Sequence, residues 1–470
     1  MSNVKTKALG VFALAMINIA AVLSLRNYPS MATYGWSSIG WYLLGTITFF
    51  IPLTLAGAEL ATGWPQGGGV YAWVREAFGE REGFIAVFCE WSNNLVWFPT
   101  VLAFIASTFA YVFNPSLANN NVFMFLVMMV AFWGTTAVSL MGEKVSSRFG
   151  SFGVIAGSII PAILIIVLGL LYALGGKPMA LPPFTINAAM PEVNLSTLPF
   201  IATVVLLFAG MEMAGFHALE VRNPQKDFPK AMALSCIIIF ILTVIGTLAI
   251  AIVVPVSQLN LAAGLMQAFQ AFLVSFNLEW LLAPLALLVT LGGLANLASW
   301  LAGPALGLGE VAARGNMPPF FARTNKNGAP MGVLILQALI GTVVSMLYLF
   351  IPSISAAYWI LSAMTVLLLC IVYLFVFAAL IKLRYSQPET KRAFKIPGGI
   401  PGVWVVGGIG FLACVCTFIV SLIPPGSYEN VPAWMYAAVL LIGTAVLALP
   451  PLAFLHLKKP SWIQQAKKEA

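Results

Sequence analysis

The chain is a succession of apolar runs, each about as long as a helix that crosses a bilayer, and this repeated length constrains the fold more than any motif does. Crossing the hydrocarbon core takes about 20 residues, and lipid offers unpaired backbone groups no partner, so such runs are economical only as helices. They fall at roughly 8 to 32, 39 to 63, 84 to 113, 121 to 141, 150 to 175, 197 to 220, 230 to 254, 280 to 311, 331 to 352, 356 to 383, 402 to 424 and 432 to 457, twelve in all. Of the residues, 61% are hydrophobic and 8% charged, whereas soluble chains carry about 25% charge. The alternation of a membrane β-barrel is missing. The chain reads as an all-α membrane protein in a lipid bilayer.

An even number of spans puts both termini on one side, and Lys and Arg mark that side as cytoplasmic. Twenty-one of the 23 fall at the termini or at even-numbered connections, from Arg75 and Arg81 to the cluster Lys382, Arg384, Lys391, Arg392 and Lys395. Lys177 lies in a loop of the other side, and Arg26 lies inside a span. Spread in this way, the net charge of +8 is a topology signal, and no nucleic-acid partner is expected. The first apolar run lacks a small-residue cleavage site and is expected to stay as a helix. Cys89, Cys236, Cys370, Cys414 and Cys416 lie in spans without metal-type spacing and read as small core residues. With no P-loop and no His-Glu-x-x-His, neither cofactor nor metal is expected, and energy would come from a gradient.

Two spans are interrupted by residues that membrane helices avoid. The sixth is broken by Ala209-Gly210 and Ala214-Gly215, carries Glu212 and His217, and runs into Glu220-Val221-Arg222-Asn223-Pro224. A carboxylate near the bilayer centre costs at least ~2.5 kcal/mol, so Glu212 beside helix-loosening glycines reads as functional. The plainer alternative is a kinked helix with Glu212 paired in the bundle. The first span is interrupted by Ser24-Leu25-Arg26-Asn27-Tyr28-Pro29-Ser30, where proline removes a donor and arginine is costly in lipid.

Broken helices five spans apart suggest a five-plus-five inverted repeat. Residues 8–175 would form the first repeat, 197–383 the second, 402–457 two additional helices, and 458–470 a short cytoplasmic tail. Freed backbone groups at the breaks would form a substrate pocket, with half-helix N-termini facing a carboxylate and nearby side chains selecting the rest.

Other polar residues have two readings each. Glu90, with Trp91, Asn93 and Asn94 in the third span, is a ligand contact or an interhelix packing group. Glu59 stands among small residues near the basic end of span two, where it would stabilise a closed gate. Glu220 and Arg222 would form a gate pair with Arg75, Arg81 or Lys144, or ordinary interfacial ion pairs. Glu212 and His217 are the candidates for pH dependence, His217 being equally a packing residue. Ser299 offers one hydroxyl to a sodium ion, whose site needs about five or six oxygens.

Gly57-Ala58-Glu59-Leu60-Ala61 followed by Gly67-Gly68-Gly69-Val70-Tyr71-Ala72-Trp73-Val74 resembles the second-span signature of the amino acid/polyamine/organocation superfamily. Tyr28-Pro29-Ser30-Met31-Ala32-Thr33-Tyr34-Gly35, His217-Ala218-Leu219-Glu220-Val221-Arg222-Asn223-Pro224 and Ala298-Ser299-Trp300-Leu301-Ala302-Gly303-Pro304 are similar to the bacterial glutamate/GABA antiporter family. Asn325-Lys326-Asn327-Gly328-Ala329-Pro330 and Ile396-Pro397-Gly398-Gly399 continue the match, which spans about residues 8 to 457.

The resemblance implies a LeuT-like fold in a bacterial inner membrane. It also implies exchange of amino acids and their decarboxylated amines by alternating access, as a monomer or homodimer, without catalysis. The pocket would be lined by spans one, three, six, eight and ten. Glu212 falls on the family's sixth-span glutamate, Trp300 on its eighth-span tryptophan and Tyr373 on the second of two tyrosines in span ten. Three positions depart: Arg26 stands for a tyrosine, Asn296 for a glutamate and Leu369 for the first tyrosine.

The changes at Arg26 and Asn296 make the pocket more positive, so an acidic, glutamate-like amino acid is expected, held by the Arg26 fork. Alternatively Arg26 pairs with Glu212, and the pocket takes a neutral zwitterion. The implied substrate set is Arg26, Asn27, Tyr28, Glu90, Gly210, Glu212, Gly215, Asn296, Trp300 and Tyr373. The implied gating or pH set is Glu59, Glu212, His217 and Glu220. Only Lys458 to Ala470 follow the last span, where the glutamate exchangers have a long basic plug, so gating by a tail is not expected. A proton- or sodium-coupled symporter or uniporter of the same fold is the runner-up. A membrane enzyme is a remote alternative, because two histidines make no catalytic cluster, and no filter loop suggests a channel.

Overall fold

The computed structural model describes residues 9–65, 67–191, 193–194, 200–217, 221–346, 349, 354–424 and 432–462, and among them the ordered elements are helices. Among the described residues an isolated bridge joins Leu9 to Val221. Ten helices among the described residues are long and apolar enough to cross a membrane. The first interrupted span is α1 (Val11–Val22) and α2 (Tyr28–Ala32). There follow α3 (Gly35–Gly63), α4 (Val70–Phe78), α5 (Glu80–Ala110), α6 (Asn121–Leu140) and α7 (Lys144–Leu174). The second interrupted span is α8 (Phe200–Phe208) and α9 (Met213–Phe216). The remainder is α10 (Pro224–Val253), α11 (Gly264–Ser275), α12 (Leu282–Ala313), α13 (Met331–Ser345), α14 (Ile354–Ser386), α15 (Gly399–Val420) and α16 (Ala433–His456).

The first break is narrower than Ser24 to Ser30. The Leu23 N–H still donates to Ile19 at 2.8 Å, and a helical turn resumes at Leu25, so Arg26, Asn27 and Tyr28 lie in resumed helix. Pro29 is harmless there, because the first turn of a helix has no partner for the missing N–H. The second break lies at 209–212, and Ala214-Gly215 belongs to α9 rather than to a further interruption.

The long α5 runs through the middle of the bundle, packed against α12 and α14, while α1 packs against α10 and α12. α15 leans on α14 and α3 at the side. Cys416 of α15 is exposed, so it faces outward instead of joining the core; Cys89, Cys370 and Cys414 are buried.

Two short helices close opposite ends. α4 carries Arg75 at the basic end, where Gly83 of α5 meets it so closely that an added Cβ would come within 2.8 Å of the Arg75 side chain. α11 falls where the sequence reads as a loop. Its 12 residues reach about 18 Å, too little to cross a bilayer. It covers α2 at the other end, and a Cβ on Gly264 would stand 2.8 Å from Pro29.

Candidate functional site

The two breaks meet. Ala21, Val22 and Ser24 of the first and Ala209 of the second line one pocket with Arg26, Asn27, Asn93, Trp97, Trp300, Thr365 and Leu369. Its volume is about 20 Å³, which is room for a single water, so a larger ligand requires the lining to move.

A helix end leaves its last carbonyls unpaired. At the end of α1 the partners come from α12. Asn296 Nδ2 donates to Ala20 at 2.6 Å and to Ala21 at 3.1 Å, and Trp300 Nε1 donates to Ala21 at 3.0 Å. At the second break Gly210 has φ +117°, a region that favours glycine, and an added Cβ would sit 3.1 Å from Trp300 and 3.2 Å from Val22. The Gly210 N–H donates to the Tyr373 hydroxyl at 3.2 Å, and that hydroxyl donates to Glu212 Oε1 at 2.9 Å.

Arg26 is buried and turns to α5. Its Nη1 donates to Thr100 at 2.7 Å, and its guanidinium lies 5.8 Å from the Trp97 ring centre. Glu212 takes its hydrogen bond from Tyr373, so the cancelling Arg26–Glu212 pair is not what these contacts form. Glu90 is fully buried, and neither of its carboxylate oxygens meets a donor among the described residues. Its charge and that of Glu212 are close enough to interact.

Glu90, Asn93, Asn94, Trp97 and Thr100 recur at three and four residues and share a face of α5. The ten-residue step from Glu90 to Thr100 rises about 15 Å, which separates the Glu90 carboxyl from the Arg26–Thr100 hydrogen bond along α5. Sequence reasoning missed Trp97, Thr100 and Thr365. The spacing from Glu90 would have found the first two.

Of the expected contacts, Arg26, Asn27 and Trp300 line this pocket, Asn296 lines a neighbouring void with Leu23 and Ser24, and two point elsewhere. Tyr28 donates to the Leu242 carbonyl at 3.0 Å and packs on Gly246 of α10. Gly215 admits the Trp73 ring of α4, which an added Cβ would meet at 2.6 Å. Leu369 does line the pocket, one helical turn from Tyr373. Ser299 donates back to Ala295 at 3.2 Å.

A second, larger cavity of about 480 Å³ opens among Lys144, Lys326 and His217 and extends to Ala20 and Ser299. Glu59 is buried in an ion cluster, 2.9 Å from Arg384 and 3.5 Å from Arg392, and accepts the Ile396 N–H at 2.8 Å. Burial lowers the Arg392 guanidinium from its ordinary pKa; Glu59 opposes the shift, and Arg384 adds to it. Neither arginine was singled out beyond its topology charge. Glu220 lies outside the described residues; the Arg222 N–H donates to Leu9 at 2.9 Å.

The amino acid permease family model matches residues 9–446. An uncharacterized transporter of Legionella pneumophila is 40% identical over 453 residues, covering 96% of this chain and 97% of the relative. A glutamate/gamma-aminobutyrate antiporter of Lactococcus lactis is 32% identical over 458 residues, 96% of this chain and 90% of its own. A probable agmatine/putrescine antiporter of the same species is 26% identical over 429 residues, 90% of each chain.

Proposed function

The chain belongs to the amino acid permease family, and from that premise we propose that it is an antiporter exchanging an external acidic, glutamate-like amino acid for an internal amino acid or amine by alternating access. The observation that carries this is the pocket shared by the two breaks, which buried Arg26 lines, with the Glu212 carboxyl three residues beyond the lining residue Ala209 and the Glu90 carboxyl three residues before the lining residue Asn93. Such a pocket suits a ligand that carries both a carboxylate and an ammonium group. The α-carboxylate and α-amine would meet the freed backbone at the breaks, Arg26 and Glu212 would read the side chain, and Trp300 would close over it. Exchange is favoured over ion-coupled symport because two of the named relatives are antiporters.

The proposed architecture is twelve spans in a five-plus-five inverted repeat plus two helices. The broken α8–α9 span and the shorter α13 would complete the twelve. Support comes from α4 and α11, which occupy matching places between spans two and three and between spans seven and eight, at opposite ends of the bundle. The basic end would face the cytoplasm, with both termini.

The test is uptake of labelled amino acids and amines by proteoliposomes loaded with glutamate, beside empty vesicles, at neutral and acid pH. Load-dependent uptake of acidic amino acids supports the reading. Filling of empty vesicles sinks exchange, and uptake of neutral or cationic compounds alone sinks the acidic preference.

A further inference from the structure

The two cavities are separated by one layer of groups. The large cavity reaches Ala20, Ala298 and Ser299 from the basic end, and the small pocket begins at Ala21, Val22 and Trp300. At that boundary the Ala20 and Ala21 carbonyls accept three hydrogen bonds from Asn296 and Trp300, Asn296 reaching them from a third small void that it lines with Leu23 and Ser24. Asn94 of α5 donates to the Trp300 carbonyl at 2.9 Å and braces the layer from the other side. The α1 carbonyls carry the partial negative charge of a helix C-terminus, and here neutral amide and indole donors satisfy them. An ammonium group makes a stronger, charge-assisted bond to the same oxygens.

We propose that Asn296, with Trp300, is a latch across the route from the basic end to the pocket, and that a substrate's ammonium group opens it by taking over the Ala20 and Ala21 carbonyls. Opening without substrate strands two buried carbonyls, which is costly; opening with substrate does not. Asn296 is thereby a positioning residue that makes transport depend on a bound ligand in both directions. The inference rests on the exchange reading above.

Two readouts test it. In the full chain carrying Ser24→Cys, whose new thiol lines the small pocket, reaction with an impermeant thiol reagent is measured from the basic end of inverted vesicles, the chain without the substitution giving the background. Adding Asn296→Ala should raise the rate on the order of tenfold, as expected for one to two lost hydrogen bonds. In proteoliposomes, Asn296→Ala should also fill empty vesicles, which the unsubstituted protein should not. If Asn296→Ala does not insert, Trp300→Phe, which deletes only the indole donor, carries the same two expectations. An unchanged thiol rate overturns the latch even if exchange holds. Filling of empty vesicles by the unsubstituted protein overturns the exchange reading, while the thiol rates still decide whether the route is latched.

Discussion

Tyr373 holds Glu212 through a 2.9 Å hydrogen bond while the same hydroxyl accepts the Gly210 N–H at 3.2 Å, so one side chain of α14 ties down both sides of the second helix break. The ring is set by Phe49 of α3, whose centre lies 5.2 Å away, edge to face. The break is therefore a braced element rather than a slack loop, and the brace fixes the position of the Glu212 carboxyl and of the Gly210 backbone.

Tyr373→Phe keeps the ring and deletes the brace. Hydrogen bonds to charged groups contribute about 1.5–3 kcal/mol, so initial exchange rates should fall roughly tenfold or more. A wild-type rate in proteoliposomes would remove Tyr373 from the transport machinery.

Arg26 should separate charge from geometry. Arg26→Ala should lose uptake of acidic amino acids while the protein still inserts. Arg26→Lys should recover only part, because a point charge cannot reproduce the planar fork. Unchanged acidic uptake in Arg26→Ala would exclude it from recognition.

Gly210→Ala should be defective although it adds one methyl group. It forces a side chain into the φ +117° region and against Trp300 and Val22, a strain on the order of 1–3 kcal/mol. Lowered transport with normal amounts in the membrane is the expected result; normal transport would mean that the break tolerates another backbone conformation.

Glu59→Gln removes the anion from a cluster that holds two guanidinium groups, Arg384 and Arg392. Breaking a buried pair costs about 3–5 kcal/mol, so the melting temperature of the purified protein should drop by several degrees. Glu59→Gln combined with Arg392→Gln should recover part of that loss. A melting temperature equal to that of the unsubstituted protein would show that the cluster is solvated.

Ten apolar spans, their approximate limits and the two interruptions were legible in the chain, and Arg26, Glu212, Asn296, Trp300 and Tyr373 stood out there as candidates that the structure gathers around the breaks. Length and hydrophobicity are local properties that lipid reads directly, and a charge or glycine inside an apolar run is visible without neighbours. The α11 helix was not legible, because an apolar stretch of 12 residues is too short for the spanning signal. Glu59 was visible, but its arginine partners looked like topology charges, since only the packed loop after α14 brings Arg392 to it.

The sequence by itself therefore determined the solvent, the helical class and which residues are expensive to bury. Tertiary structure decided what each of them pays against. Arg26 binds Thr100 rather than Glu212, Tyr28 and Gly215 serve packing, and Asn296 covers a carbonyl 276 positions away. Hydrogen bonds are short and directional, so such partners are set by how the helices cross, which no local pattern along the chain specifies.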